Sequence, residues 1–390
     1  MLTRFSAFCV LFLITGPAMA QEAFDAFVRQ AWPEAQSKGL TRATFDTAMK
    51  GVTPDQRVID ATRRQPEYGK PVGDYVAGIV SDRRVSRGQA KEKEWTKTFD
   101  AVEQRFQVER WILLALWGIE SDFGAAKDKW DIFRSLATLG YVKYRHPYFR
   151  NELFVAMKIM QDNKFPREKM LSSWAGAIGQ TQFMPSNVVD YAIDFSGDRK
   201  VDLWDSVPDI LGSTGNYMRN ASWQHGMPWG FEVTVPRNFD YMQSRGSFGD
   251  WTQRGVRRAD GKPFPANGNG ILFFPSGHRG PGFVVTENFD VLKAYNNSDA
   301  YAIAVGHLAD RMQGAGPIRA KWPDERPLSR DARIALQKKL ASLGYKVNDF
   351  QGRVDFDLRD NIRAEQKKLG MVPDGNPTQA FLDGLGVKVN

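Results

Sequence analysis

Cysteine is almost absent: 390 residues carry one thiol, Cys9. It falls inside an N-terminal stretch read below as a removable export signal. The mature chain is therefore expected to hold no disulfide and no cysteine metal site. Histidine is nearly as scarce, and His146, His225, His278 and His307 show no metal-ligand spacing. Neither a glycine-rich phosphate loop nor a G-x-S-x-G nucleophile elbow occurs. Beyond Ala20 no apolar run is long enough to cross a membrane, and no repeat or low-complexity tract is found. These absences turn the search away from thiol, zinc, phosphate-loop and serine-elbow chemistry. Stability must come from core packing, and the length suffices for two or more domains.

What is present begins with an export signal over 1–20. Arg4 supplies positive charge, Phe8 to Ile14 the apolar stretch, and Ala18-Met-Ala20 a small-residue cleavage site, so the mature chain is expected to start at Gln21. The apolar stretch is too short for a span, and no cysteine follows the cleavage site to take a lipid. The expectation is an exported, soluble protein without a membrane anchor. The formal charge of +8, or +7 once Arg4 is removed, suits an anionic polymer or an acidic lipid surface, and equally serves solubility alone. Nucleic acid is disfavoured as a partner, because no basic run is interleaved with aromatics.

The spacing predicts mainly α structure with a smaller β part (α+β). Residues 21 to about 106 read as helical, with Phe24, Phe27 and Val28 on one face. Phe149, Leu153, Met157 and Met160 form a second stripe, read as core. From about 229 to 289 the texture changes to β-type runs, Phe231–Val235, Gly270–Phe274 and Gly282–Thr286, separated by Gly and Pro. This predicts a small strand-rich insertion in a helical domain spanning 21–312. Tyr301 to Met312 returns to helix. Residues 313–327, with Gly314, Gly316, Pro317, Pro323 and Pro327, read as a linker. A compact helical module, 328–390, follows.

Two segments carry chemistry. Trp111 to Ile119 contains no polar side chain and ends directly on Glu120. A helix apolar on all sides is buried, and a carboxyl at its end loses part of its solvation, which favours the protonated form. A carboxylic acid of this kind is what glycoside cleavage asks of its proton donor. The bland alternative is a glutamate near a helix end, solvated or paired with Lys or Arg. The second segment is Ser173-Trp-Ala-Gly-Ala-Ile-Gly-Gln-Thr-Gln-Phe-Met-Pro-Ser186, whose small residues allow close backbone approach. Gln182 would need hydrogen-bond partners if buried, and a sugar could provide them; tight helix packing explains the segment as well.

With these residues in view, the chain resembles the lytic murein transglycosylases of the membrane-bound B type. The resemblance runs through Gln65-Pro-Glu-Tyr68, Trp117-Gly-Ile-Glu-Ser-Asp-Phe-Gly124, Ala137-Thr-Leu-Gly-Tyr141 and Ala175 to Ser186. It continues in one order through Asp194-Phe-Ser-Gly-Asp198, Asp202-Leu-Trp-Asp205, Gly212-Ser213, Asn216-Tyr217, Gly280-Pro-Gly282 and Tyr295 to Tyr301, covering about 21–312. It implies a lysozyme-like fold, a periplasmic location and peptidoglycan glycan strands as substrate. The implied reaction cuts the β-1,4 bond between N-acetylmuramic acid and N-acetylglucosamine without water, leaving a 1,6-anhydro end. Glu120 takes the family's catalytic position, and Ser173, Gln182, Tyr217, Tyr295 and Asn296 match positions that contact sugar or orient the glutamate. A lysozyme-type hydrolase would instead need a second carboxylate across the bond. Asp122 and Asp131 are the nearest in sequence, and Asp122 is read as holding the turn before Gly124. A third possibility is a non-catalytic wall-binding protein.

Asp194, Ser196, Asp198 and Lys200 place oxygen donors at alternate positions, as in a calcium loop where the backbone carbonyl of the seventh position also binds. The family carries one such loop. Here Arg199 stands in place of the turn glycine, and the closing carboxylate is Asp205 or Asp209. No cofactor is required for the chemistry; a structural calcium is the one ion the sequence suggests. The C-terminal module resembles a three-helix peptidoglycan-binding domain through Leu336-Gln337, Leu340, Gly344-Tyr345, Glu365-Gln366, Leu369-Gly370 and Asp374-Gly375. Gly352-Arg353 replaces the usual aspartate-glycine turn.

Overall fold

The structure, a computed structural model, describes residues 17–63, 70–163 and 166–388. The export signal lies outside them up to residue 16, as does the Gln65-Pro-Glu-Tyr68 motif. A helix, Pro17–Ser37, runs through the expected cleavage point. The fold is mainly helical, with two small sheets, and divides into two compact units.

The first unit takes described residues up to Arg63, then Asp128–Ile178 and Phe183–Val189. Thr41 caps the helix Arg42–Met49 by accepting from the Thr44 N–H. Asp131 caps Ile132–Tyr141 by accepting from Phe133 and Arg134. Its outer oxygen pairs with Arg167 at 2.6 Å. The Phe149, Leu153, Met157, Met160 stripe is buried on the helix Tyr148–Asn163, and Phe24 meets Tyr141 edge-on at 5.3 Å. Each such buried side chain contributes roughly 1.5–3 kcal/mol. Trp130–Asp131 pairs antiparallel with Leu171–Ser172, and the latter strand leads directly into the Ser173 turn.

The second unit runs from Lys70 to Lys127, takes in Gly179–Gln182, and resumes at Asp190. Its centre is the helix Arg110–Ser121, buried without interruption from Ile112 to Gly118. This helix packs on Asp299–Met312, itself buried from Ala300 to Ala309. Both helices are buried along most of their length, so each is walled by other elements rather than by water. The strand-rich segment forms one antiparallel five-stranded sheet, in the spatial order Arg245–Ser247, Asn269–Phe273, Gly282–Val285, Gly230–Thr234, Arg257–Arg258. Leu272, Val284 and Val233 share a core with Phe248, Trp251 and Val256. Their alternates, Phe273 and Phe283, face Phe289 and Trp229. The strands at Arg245 and Arg257 and the helix Phe248–Gln253, which opens with a Ser247 capping box, are too short to show a period in the sequence.

The stretch 313–327 has no regular element but is pinned. Arg319 and Ala320 donate their N–H groups to Glu232, and Trp322 lies against Phe283. Three helices, Arg330–Ser342, Phe356–Lys368 and Gln379–Gly384, close the C-terminal module around Leu336, Leu340, Ile362, Phe381 and Leu382. Among the described residues no helix is long and apolar enough to cross a membrane.

Candidate active site

Glu120 is the penultimate residue of its helix and is half-buried. Asp122, Phe123 and Gly124 follow in left-handed conformation, so the chain turns off sharply and the carboxyl stands at a corner. Ser121 Oγ accepts from the Gly124 N–H at 2.9 Å and holds the turn. A Cβ on Gly124 would lie 2.2 Å from Gln180 Oε1, so this position needs glycine for space as well as for φ.

Asp122 is the C-cap and holds that turn through its backbone, its N–H donating to the Gly118 carbonyl at 3.1 Å and its own carbonyl accepting from the Ala125 N–H at 3.3 Å. Its carboxylate pairs with Arg87 and with Arg84, the latter at 3.7 Å. The two residues that sequence proximity offered as a second catalytic carboxylate are thus each tied to arginine, Asp122 here and Asp131 at its helix cap.

A phenol 181 positions away reaches Glu120. Tyr301 Oη donates to Glu120 Oε1 at 2.5 Å. Tyr301 sits in the first turn of Asp299–Met312, where Ser298 caps by accepting from the Tyr301 N–H. Its ring stacks on Tyr295 at 6.5 Å, and Tyr295 donates to the Thr181 carbonyl at 2.5 Å. Tyr217 meets Tyr295 edge-on at 5.0 Å and donates to the Ala294 carbonyl at 3.1 Å. Tyr191 stands edge-on to Tyr217 at 5.0 Å. Burial, then the Glu120 charge, pushes the Tyr295 and Tyr301 hydroxyls well above the usual phenol range. Burial with Tyr191 pushes Tyr217 up to about 12. All three remain neutral donors at any working pH.

Glu120, Tyr217, Tyr295 and the Thr181–Gln182 backbone therefore converge in one unit. Gln182 has φ 55° and donates its amide to the Gly179 carbonyl at 2.9 Å. The buried glutamine of the motif is Gln180, which accepts from Trp117 Nε1 at 2.7 Å and donates to the Trp204 carbonyl at 2.6 Å. It splints the Glu120 helix to the 203–204 segment. Asn296 is the C-cap of Glu287–Tyr295, and its carbonyl accepts from the Ser298 N–H at 2.6 Å. Ser173 belongs to the first unit. There its hydroxyl accepts from the Ala177 N–H at 3.2 Å and organises a tight turn, in which a Cβ on Gly176 would strike Leu136. Sequence reasoning missed Tyr301 as a site residue, because nothing in a one-dimensional pattern signals that phenol's reach to Glu120.

The acidic loop is built differently. Asp209, fully buried, accepts from the N–H groups of Phe195, Ser196 and Asp202. Asp194 accepts from Gly197 and Arg199 N–H and from Ser196 Oγ. Loss of solvent opposes its charge, but these donors outweigh that and hold the carboxyl below its usual range. Oxygens of Asp194, Asp198 and Asp209 lie within 4.8 Å of one another. Asp209 closes the cluster; Asp205 points elsewhere, 3.6 Å from Lys127. Arg199 adopts φ 68°, the conformation that the sixth position of a calcium loop demands of glycine. The donor set fits a hard cation of calcium type. Lys200 donates its N–H to Asp198.

Residues 23–310 match the family described as transglycosylase SLT domain, and residues 329–385 match the putative peptidoglycan binding domain. SltB3 of Pseudomonas aeruginosa superposes with a TM-score of 0.83 at 41% identity, covering 93% of this chain and 99% of that one; its crystals hold NAG-anhNAM-pentapeptide or NAG-NAM-pentapeptide. The membrane-bound lytic murein transglycosylase B of Escherichia coli strain K12 is 31% identical over 238 residues, which is 56% of this chain and 62% of that relative's length. The Escherichia coli lytic transglycosylase Slt35 in complex with calcium shares the fold, with a TM-score of 0.60 at 24% identity, covering 77% of this chain and 94% of that one.

Proposed function

The chain belongs to the transglycosylase SLT family, and from that premise we propose that it is a lytic transglycosylase of peptidoglycan glycan strands with Glu120 as its sole acid and base. The observation that carries this is the half-buried carboxyl held at a helix corner by a neutral phenol. Glu120 protonates the oxygen of the β-1,4 bond between N-acetylmuramic acid and N-acetylglucosamine as the bond to C1 breaks. The substrate's 2-acetamido carbonyl stabilises C1. The carboxylate then takes the proton of the muramic C6 hydroxyl as that oxygen attacks C1, and the 1,6-anhydro ring closes. No water enters, and the proton returns to Glu120.

Tyr301 orients Oε1 and stabilises the carboxylate once its proton has left. Tyr217 and Tyr295 form the aromatic wall that holds it, and Ser173, Gln182 and Asn296 contact sugar. Asp122 and Asp131, the two carboxylates nearest to Glu120 in sequence, are each paired with arginine, which speaks against either as the nucleophile of the hydrolytic alternative. The signal at 1–20 exports the chain to the periplasm, and the module at 328–390 engages the cell wall. A calcium ion held by Asp194, Ser196, Asp198, the Lys200 carbonyl and Asp209 would brace the loop, and no step of the reaction passes through it.

The test is Glu120→Gln, which keeps shape and loses the transferable proton. Release of muropeptides from purified sacculi should fall by about 10²–10⁴-fold with the melting temperature unchanged. Turnover at the wild-type rate would refute the assignment.

A further inference from the structure

We propose that the C-terminal module supplies a positioning residue to the active site: Arg359, which fixes the turn from which Tyr301 reaches Glu120. The inference rests on the acid–base reading of Glu120.

One face of the helix Phe356–Lys368 carries Phe356, Arg359, Asp360 and Arg363, at the spacing that places side chains on the same side of a helix. All four contact the catalytic portion. Phe356 packs edge-on against Phe273 at 5.6 Å and against Phe289 at 6.2 Å. Arg363 donates to the Leu272 carbonyl at 3.1 Å. Asp360 accepts from Ser244 at 2.8 Å and pairs with Arg245 at 3.2 Å. These three grip the sheet. Arg359 reaches elsewhere. It is 5% exposed, lies over the Phe273 ring at 4.7 Å, and donates to Asp299 Oδ2 at 2.8 Å.

Asp299 is the first residue of the Tyr301 helix. Its other oxygen is 2.7 Å from Lys293, on the preceding helix, which ends in Tyr295. Asp299 thus joins three elements, and the two tyrosines beside Glu120 lie four residues before it and two after. Burial opposes the Asp299 charge, and the two cations override it, keeping the carboxylate ionised. A hydrogen bond is directional, so the rotation of this short turn sets where the Tyr301 hydroxyl stands relative to Oε1. Cutting Arg359, the buried one of its two cations, from Asp299 frees that turn. Displacements of about 1 Å at a reacting centre can cost up to about 10²-fold in rate. A module that only gripped the wall would act through substrate affinity; this one is docked to the helix that orients the acid.

The experiment uses the full chain and soluble, uncrosslinked glycan oligomers, so that affinity for intact wall does not enter. Arg359→Ala should lower kcat about tenfold with KM within about twofold, and Arg359→Lys should restore most of it. Arg245→Ala, which loosens the same interface at the sheet, should leave kcat unchanged. A wild-type kcat for Arg359→Ala, a lysine variant no better than alanine, or a loss carried by KM alone would overturn the proposal. Should Arg359→Ala fail to fold in a melting scan, Asp299→Asn carries the test, with reduced kcat expected and wild-type kcat overturning it. Failure of the function reading is separable, because it appears in wild type and Glu120→Gln whatever Arg359 does.

Discussion

The corner that holds Glu120 and the loop that holds Asp194, Asp198 and Asp209 are both collections of carboxyl groups, organised on opposite principles. In the loop, backbone N–H groups do the holding: three converge on Asp209 and two on Asp194. Oxygens of like charge gather within 4.8 Å, an arrangement that fixes chain conformation and suits a cation. At the corner a single acid ends an apolar helix beside a neutral phenol, while the aspartate two residues on is drawn off by two arginines. The difference lies in what meets the carboxyl: backbone amide donors hold the loop carboxylates in place, and a phenol that can orient the group reaches Glu120.

The largest expected effect on this contrast comes from Tyr301→Phe. It removes the donor and leaves the ring, so kcat should fall about ten- to a hundredfold, as for a hydrogen bond to a charged group. Steady-state kinetics with unchanged KM would support the corner as drawn, whereas an unaltered kcat would show that the phenol only packs. Next is Asp209→Asn. An amide can present its N–H₂ toward three N–H donors, and stability should drop by about 2–3 kcal/mol. Calcium added to wild type should raise the melting midpoint, and in Asp209→Asn that rise should shrink. An unchanged response would remove Asp209 from the ion's ligands.

Asp310 offers a third arrangement, a carboxyl closed in beside the Trp229 N–H. Burial lifts it to about 7. The native state then holds a proton that the unfolded chain has released, so stability falls as pH rises from about 4 to about 7 and levels off above. Asp310→Asn should flatten that slope, gaining most over wild type near pH 8; a gain equal at all pH values would contradict the assignment. The smallest effect belongs to Asp122→Asn. Its ion pairs are partly exposed, and about 0.5–1 kcal/mol of stability is at stake. Activity should stay within about threefold, and collapse of activity would revive a second catalytic carboxylate.

Much of this was legible in the sequence. The unbroken apolar run told of a buried helix ending on Glu120. The β-type runs after Trp229 told of strands, and the Phe149–Met160 stripe told of core. What stayed hidden depends on where distant segments meet. Gln182 drew attention, yet the motif's buried glutamine is Gln180, since only the fold shows which of two alternate residues faces Trp117. Tyr301 lay within a quoted motif, but its reach to Glu120 arises from two helices packing. The linker's Gly and Pro foretold missing regular structure and said nothing of Glu232 pinning it. The docked face of the C-terminal module is polar in sequence, and its arginines look like solvent residues until Asp299 and the Leu272 carbonyl are seen across from them.

The central claim is that one acid moves one proton out and back with no water consumed. Digestion of sacculi in heavy-oxygen water, followed by mass spectrometry of the released muropeptides, tests it directly. The account predicts muramic ends lighter by one water than the hydrolysed product and free of the heavy isotope. Hydrated ends carrying the label would contradict it.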